Sequence, residues 1–427
     1  MDSRLDIVVF GATGFTGKST LPYLHKLAQN PERSLTWGIG GRSLEKLQNI
    51  LHEASTRIGA DLSGIPIIIA DSTNEKSIME MTKKARMIIN CCGPYQVHGE
   101  VVVRSCIETG THYVDVTAEP YFQEAMEKKY HEAAQRQGIY IVNYCGYGYM
   151  ATEIPVCLLE NKFPGTLNSV EIFTDTYQGV YSQGSQFNIG SWKSAVVASS
   201  KLKTFFWNKI KRDWNSVKMR PKICSRLPFS RITSIGIPNK KILPFPSPDI
   251  DIINRSQRYF YENVEKRPIQ VRHYYLLDSW KSILKLLFMG MITIIFSQFS
   301  CGRKLLLKYP KVFSGGHFDH ESPNEEVVEN TKICMYFYGK GWSNKKDSQF
   351  NQPPNKSILG KIDIVNPAYG FTCLAVVLSA IIILTEPSKL PKKGGVYTPA
   401  AAFFDTSMVE ALQKNGVPLN ILSENDL

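Results

Sequence analysis

The run Ile7-Val-Val-Phe10 passes directly into Gly11-Ala-Thr-Gly14-Phe-Thr-Gly17. Four apolar residues followed by three glycines at this spacing leave the chain one local design, a buried strand that bends sharply into a helix. Gly11 permits the tight turn, Gly14 lets a pyrophosphate approach the main chain, and Gly17 lets the helix pack closely on the sheet. The helix expected from about Thr16 to Ala28 aims its free amides and the positive end of its dipole at that phosphate. Thr13, Phe15 and Thr16 complete the candidate cofactor loop.

A glycine-rich loop is also compatible with a plain turn, so its surroundings decide. Leu35–Ile39, Ile67–Ala70, Arg86–Asn90, Tyr113–Val116 and Ile139–Val142 read as further strands. Between them lie amphipathic helical patterns such as Leu44, Leu47, Ile50 and Leu51, or Phe122, Ala125, Met126, Ala133 and Ala134. Apolar strands alternating with such helices predict an α/β fold, an N-terminal Rossmann-type doubly wound parallel sheet covered on both faces. Its ligand, a dinucleotide, binds at the carboxyl ends of the strands.

The end of the second strand selects the nucleotide. An acidic residue there would take the ribose hydroxyls of NAD, but the chain reads Gly40-Gly41-Arg42-Ser43, with Lys46 one turn on. A guanidinium and a hydroxyl suit a 2'-phosphate, which favours NADP over NAD. The bland alternative is that Ser43 caps the next helix and Arg42 is solvated. Asp71, closing the third strand, reaches either the adenine or the cap of the helix after Thr73. Asn90-Cys-Cys-Gly-Pro-Tyr95 closes the fourth strand, so Cys92, Gly93 and Pro94 would carry the chain past the nicotinamide ribose.

Charge is placed unevenly. Between Lys201 and Lys241 twelve Lys or Arg face one acid, Asp213, so this stretch carries +11 of the net +12. Phe205, Phe206, Trp207, Trp214 and Phe229 are interleaved with it, a mixture suited to a membrane or anionic lipid surface. No nucleic-acid-binding motif accompanies it, so no nucleic-acid partner is expected; a solvated loop is the plain reading. From Leu286 to Gly302 the 17 residues carry no charge, flanked by Lys281, Lys285, Arg303, Lys304 and Lys308. That is short for a bilayer span and is broken by Ser297 and Gln298, so a re-entrant or monotopic anchor over 282–302 is expected, a buried helix being the alternative. The apolar run Phe371–Thr385 is rich in small residues and reads as a core helix. The nine cysteines form no metal-ligand spacing, so no metal is expected and the thiols read as reduced. The polar start, running straight into the first strand, predicts no signal peptide and a cytoplasmic protein.

The motifs converge on a family. Val8–Gly17, Gly41–Leu47, Asn90–Tyr95 with Gly99 and Glu100, Asp115 with Glu119 and Pro120, Trp192–Ala195, Gln257–Tyr259 with Tyr261–Asn263, Gly394–Pro399 and Ala401–Phe403 resemble the saccharopine dehydrogenase-like oxidoreductases, animal proteins associated with lipid droplets. The resemblance runs from about Leu5 to Ile421. It implies an NADP-binding domain over 1–150 and a second α+β domain with a mixed sheet over 151–427. It also implies a helix facing a membrane, lipid-droplet or endoplasmic reticulum surface, a homodimer through the second domain, and an oxidoreductase role in lipid metabolism. The 368–385 helix is expected to pack back on the first domain. Lysine breakdown through saccharopine is not implied.

One departure stands out. Where the family has Gly-Phe-Asp-Ser-Ile-Pro, this chain has Gly146-Tyr-Gly-Tyr-Met-Ala151, and two family glycines are Ala118 and Ala400. The candidate catalytic residues are Tyr95, His98 and Glu119, on the expected rim of the cleft. Tyr95, Tyr147 and Tyr149 are expected to face substrate, although an aromatic pair in a loop is more often packing. Tyr336 and Lys340 have the Tyr-x-x-x-Lys spacing of a helical catalytic pair but fall in an alternating, strand-like run, which would part them by roughly 13 Å. Two functions follow: an NADP-dependent reductase of a C=C or C=O bond in a lipophilic small molecule, or a catalytically silent lipid- or pigment-binding protein sheltered by the rebuilt loop.

Overall fold

A computed structural model describes residues 4–30, 34–177, 185, 187–200, 226–228, 230, 236–245, 248–321, 323–343 and 352–426. Most of the basic aromatic stretch 201–241 lies outside these residues. The chain divides into two compact units, 1–151 with 367–416, and 152–366 with 417–427.

The first unit is built on a seven-stranded sheet. Its strands are β1 (Leu5–Phe10), β2 (Trp37–Gly41), β3 (Ile67–Ile69), β4 (Ala85–Asn90), β5 (His112–Asp115), β6 (Tyr140–Val142) and, much later in the chain, β14 (Gly395–Tyr397). They lie in the order β14-β6-β5-β4-β1-β2-β3, every pairing parallel. The connecting helices are α1 (Phe15–Ala28), α2 (Leu44–Ile58), α3 (Glu75–Lys83), α4 (Tyr95–Thr109) and α5 (Pro120–Gln137). Strand order reverses between β1 and β4, and a crevice at such a switch point is where a doubly wound sheet binds its ligand. Ile7, Val8, Val9, Ile88 and Ile89 are wholly buried, as strands covered on both faces must be.

The second domain expected over 151–427 is corrected to 152–366 with 417–427: the chain returns to the first unit over 367–416, a longer stretch than the 368–385 helix expected to pack back. Gly395–Tyr397 extends the parallel sheet by pairing with Tyr140–Val142. The helix Thr372–Thr385, entered through a π-helical turn at Pro367–Phe371, lies against α1, β4 and β5. Nearly all its side chains are buried, which makes it a core helix although, with its entry turn, it is long and apolar enough to cross a membrane. The helix α6 (Tyr147–Lys162) carries the chain from the first unit into the second.

The second unit holds a six-stranded mixed sheet. Its strands are β7 (Thr166–Tyr177), β9 (Lys241–Pro244), β10 (Gln270–Leu277), β12 (Lys332–Trp342), β13 (Lys356–Val365) and β15 (Leu419–Asp426), in the order β15-β13-β12-β7-β10-β9. The β7–β10 pairing is parallel and the rest antiparallel. Two short strands, β8 (Phe187–Asn188) and β11 (Phe318–Asp319), pair with each other alone. Tyr336 and Lys340 both sit in β12, so their helix-like spacing is without consequence. A separate helical group forms around Trp192, Val196 and Leu306, the Trp192 indole donating to the Leu306 carbonyl at 2.9 Å.

The segment 282–302, expected as a single anchor helix, lies instead in two helices. Trp280–Ser297 ends at Gln298, and Ser300–Lys308 follows. The chain folds back so closely that a Cβ on Gly302 would stand 2.1 Å from the Phe296 carbonyl oxygen. Arg303 donates to the Ser297 carbonyl at 2.8 Å and fixes the bend.

Candidate cofactor and active site

The loop between β1 and α1 is shaped by its glycines. Gly11 takes φ +81°, where any side chain would be strained and its Cβ would meet the Cys92 amide at 2.9 Å. A Cβ on Gly17 would lie 2.3 Å from the Gly11 carbonyl oxygen, so the third glycine is required by the loop's own backbone more than by the sheet. Gly14 caps α1 with no side chain over the helix end, and the first turn holds no acid. The main-chain amides at this end therefore face outward in a field that favours an anion. Thr13 and Gly14 are exposed, and the Phe15 ring is turned aside, edge-on to Tyr369 at 4.3 Å. Such a loop fits a dinucleotide pyrophosphate, with Phe15 and Thr16 offering backbone rather than side chain.

The neighbouring strand ends supply polar groups. Gly41 of β2 pairs with Ile69 of β3, which sets Arg42 beside Asp71 and Ser72. Arg42 is exposed. Ser43 caps α2, its hydroxyl accepting from the Lys46 amide at 3.4 Å and keeping its own hydrogen to donate. The cap expected of Asp71 is corrected: Asn74 caps α3, accepting from the Ser77 amide at 3.2 Å, while Asp71 Oδ1 accepts from the Thr73 amide and hydroxyl, both at 2.9 Å, in the turn before that helix. Those bonds to Thr73 hold the Asp71 carboxyl below the usual range. Cys92 closes the group, its amide donating to Asn90 Oδ1 at 2.9 Å and its thiol pushed up by burial. Gly93 is exposed, and Pro94 stands immediately before α4.

At the ends of β4, β5 and β6 the expectations need correcting. Tyr95 is only 6 % exposed, and its hydroxyl donates to the Asn90 carbonyl at 2.9 Å. Burial raises its phenol well above the ordinary value, so it neither faces substrate nor gives up a proton readily. Glu119 is wholly buried and accepts from the amides of Tyr95 and Gln96 at 3.1 and 3.0 Å. It is a cap for α4 supplied by the β5–α5 loop, not an acid on a rim. Tyr149 is 3 % exposed, and its hydroxyl donates to the Ala118 carbonyl while its ring lies 4.3 Å from Tyr144. The segment expected as a loop is instead the first turn of α6, from which Tyr149 packs inward. Tyr147 alone of the three stays half-buried, edge-on to Phe371, its amide bonded to Thr372 Oγ1. Gly148 beside it is exposed, with open space where a Cβ would be. His98 lies away from these groups: its Nδ1 is 2.9 Å from the Ser72 hydroxyl, at the β3 end of the crevice.

Sequence reasoning missed the hub of this region. Asp115 closes β5 wholly buried, its Oδ1 accepting from the amides of Thr117 and Tyr144 and its Oδ2 from the Tyr113 hydroxyl and Asn143. Burial pushes its carboxyl up to about 6 against those four bonds. A carboxylate ending an otherwise apolar strand was the available clue. Among the described residues no cluster of His, Cys, Asp and Glu could hold a metal.

Residues 7–142 match the model of the saccharopine dehydrogenase NADP binding domain. The saccharopine dehydrogenase-like oxidoreductase of Homo sapiens is 35 % identical over 99 % of this chain and 98 % of its own length. The chain belongs to the saccharopine dehydrogenase-like oxidoreductase family. Its first unit is an NADP-binding domain. A further member, named lipid droplet localized protein, from Caenorhabditis elegans, is 32 % identical over the full length of both. The solved saccharopine dehydrogenase (L-Glu forming) of Saccharomyces cerevisiae covers 99 % of this chain and 100 % of its own with a TM-score of 0.53. At 14 % identity that likeness speaks for the shared α/β fold alone.

Proposed function

We propose that the protein is an NADP-dependent oxidoreductase that reduces a C=C or C=O bond in a lipophilic small molecule while docked on a membrane or lipid-droplet surface. Thr13 to Gly17 hold the pyrophosphate, Arg42 and Ser43 the 2'-phosphate, and Cys92 to Pro94 line the path toward the nicotinamide. When bound, NADPH supplies the hydride; the chain's own part is to orient the ring and the substrate and to exclude water. Tyr147, half-buried beside the open backbone of Gly148, is the side chain assigned to the substrate side.

The observation that carries the surface reading is the helix Trp280–Ser297. Trp280, Leu284, Leu287, Phe288, Met291, Ile294 and Ile295 recur at helical spacing, and all are exposed, Leu284 by 63 % and Phe288 by 59 %. Phe299, Tyr309 and Val312 continue the exposed apolar surface. Residues 280–313 carry six Lys or Arg and no acid. A soluble protein does not leave a stripe of this kind to water without a partner, and although Lys311 pairs with Asp319 at 3.3 Å, a helical segment that carries six cations and no acid of its own matches anionic headgroups. The name of the Caenorhabditis elegans relative supports a droplet as that surface.

The test is NADPH oxidation with long-chain enones and ketones carried in vesicles containing phosphatidylserine. Substrate-dependent oxidation is expected. It should fall at least tenfold with Phe288→Asp plus Ile295→Asp, while oxidation with a short water-soluble analogue is kept. Tight NADPH binding without oxidation of any substrate would instead favour the catalytically silent lipid-binding protein.

A further inference from the structure

His98 stands apart from the expected catalytic rim, yet its placement is specific. It sits in the first turn of α4, and its imidazole reaches back to the loop after β3, Nδ1 to Ser72 Oγ at 2.9 Å. Ser72 is half-buried and also bonds the Cys92 thiol. Around this pair stand Arg42 from the end of β2, Asp71 from the end of β3 and Cys92 from the end of β4. Asp71 is occupied by Thr73, and Glu75 at the start of α3 is held by Arg104 at 2.7 Å. The first two amides of α4, of Tyr95 and Gln96, are taken by Glu119, and those of Val97 and His98 by the Pro94 carbonyl. The cluster beside Arg42 at this end of the sheet thus holds a hydroxyl backed by a ring nitrogen.

We propose that Ser72 is a second contact for the adenosine 2'-phosphate of NADP, opposite Arg42, and that His98 is the positioning residue that makes Ser72 a donor. The inference rests on the assignment of Arg42 to that phosphate. The proton inventory gives the mechanism. A serine hydroxyl has one hydrogen, and a phosphate only accepts. If Ser72 donates to His98, it has nothing left to offer an anion. With the proton on Nδ1 and the Cys92 S–H also directed at Ser72 Oγ, the serine accepts twice and its one hydrogen turns to the phosphate. The phosphate therefore selects the Nδ1–H form, and the charge of the anion is shared between the Arg42 guanidinium and a two-step hydrogen-bond chain. NAD, with a plain ribose hydroxyl that both donates and accepts, draws no such advantage.

The experiment is fluorescence titration of the full chain with NADPH and with NADH for the wild type, Ser72→Ala, His98→Leu, His98→Asn and Arg42→Ala, each checked for an unchanged melting temperature. Loss of one hydrogen bond to a charged group weakens binding by roughly tenfold or more. Ser72→Ala and His98→Leu are expected to weaken NADPH by that factor and to leave NADH within about twofold. His98→Asn, whose side-chain amide can place a donor where Nδ1 stood, should restore most of the loss, which a merely structural histidine would not predict. Weakening of NADPH by Arg42→Ala but not by Ser72→Ala overturns this inference alone. Weakening by none of the variants overturns the Arg42 assignment as well. Equal weakening of both nucleotides shows that Ser72 and His98 shape the fold and not the choice of phosphate.

Discussion

Among single residues, two buried titrating groups of the first unit oppose each other. His112 Nδ1 accepts the Tyr140 amide at 3.0 Å, and burial drives its imidazole down from 6.5 to about 4. Folding then keeps fewer protons on His112 than unfolding does, so its contribution to stability is full above about pH 6.5 and is lost as pH falls toward 4. Asp115 runs the other way: raised from 3.8 to about 6, it contributes stability below pH 3.8 that is lost as pH rises to 6. The two slopes cancel in much of the wild-type profile. Asp115→Asn removes one of them, so its stability, lower throughout for the hydrogen bonds it loses, is expected to rise with pH between 4 and 6.5 by about 3 kcal/mol more than the wild type's. Urea unfolding across that range measures it, and parallel profiles would contradict the assignment. His112 stands just before the strand expected at Tyr113–Val116, and only the tertiary contact with Tyr140 reveals its state.

For the helices and strands, the fate of the candidate residues follows from how helix ends are satisfied. A helix leaves its first amides without partners, and Pro94 before α4 has no side chain to cap them. Glu119 fills that need from 23 and 24 positions away in the chain. Glu119→Gln, which offers one acceptor where two are needed, is expected to cost about 1–2 kcal/mol in thermal unfolding while turnover of the folded enzyme stays within a few-fold. A collapse of turnover with stability intact would return Glu119 to the chemistry. The β1 loop was readable because glycine and an apolar run have few local options. The identity of a cap donated by a distant loop has no local signature, and a carboxylate near a strand end reads as catalytic until its partners are seen. The same holds for Tyr149, whose inward turn depends on Tyr144 and the Ala118 carbonyl.

In the molecule taken whole, the first unit is discontinuous. The succession of strands up to β6 and their parallel sheet were legible from alternation, because six consecutive strand and helix units repeat one physical pattern. The return of residues 367–416 was only half legible: the core character of 371–385 could be read from its composition, but β14 is three residues long and finds its place only by pairing with β6. The chain 1–151 by itself is therefore expected to lack cooperative unfolding, since it exposes the surface that the helix Thr372–Thr385 covers; a sharp melting transition of that fragment would contradict the division.

All of this requires the first unit to take up NADP on the bare amides at the start of α1 and the guanidinium of Arg42. Equilibrium titration with NADPH and NADH decides the point. Micromolar binding of NADPH, at least tenfold weaker binding of NADH, and a loss of about tenfold or more for NADPH alone in Arg42→Ala are predicted. Binding of neither nucleotide below millimolar concentration would contradict it.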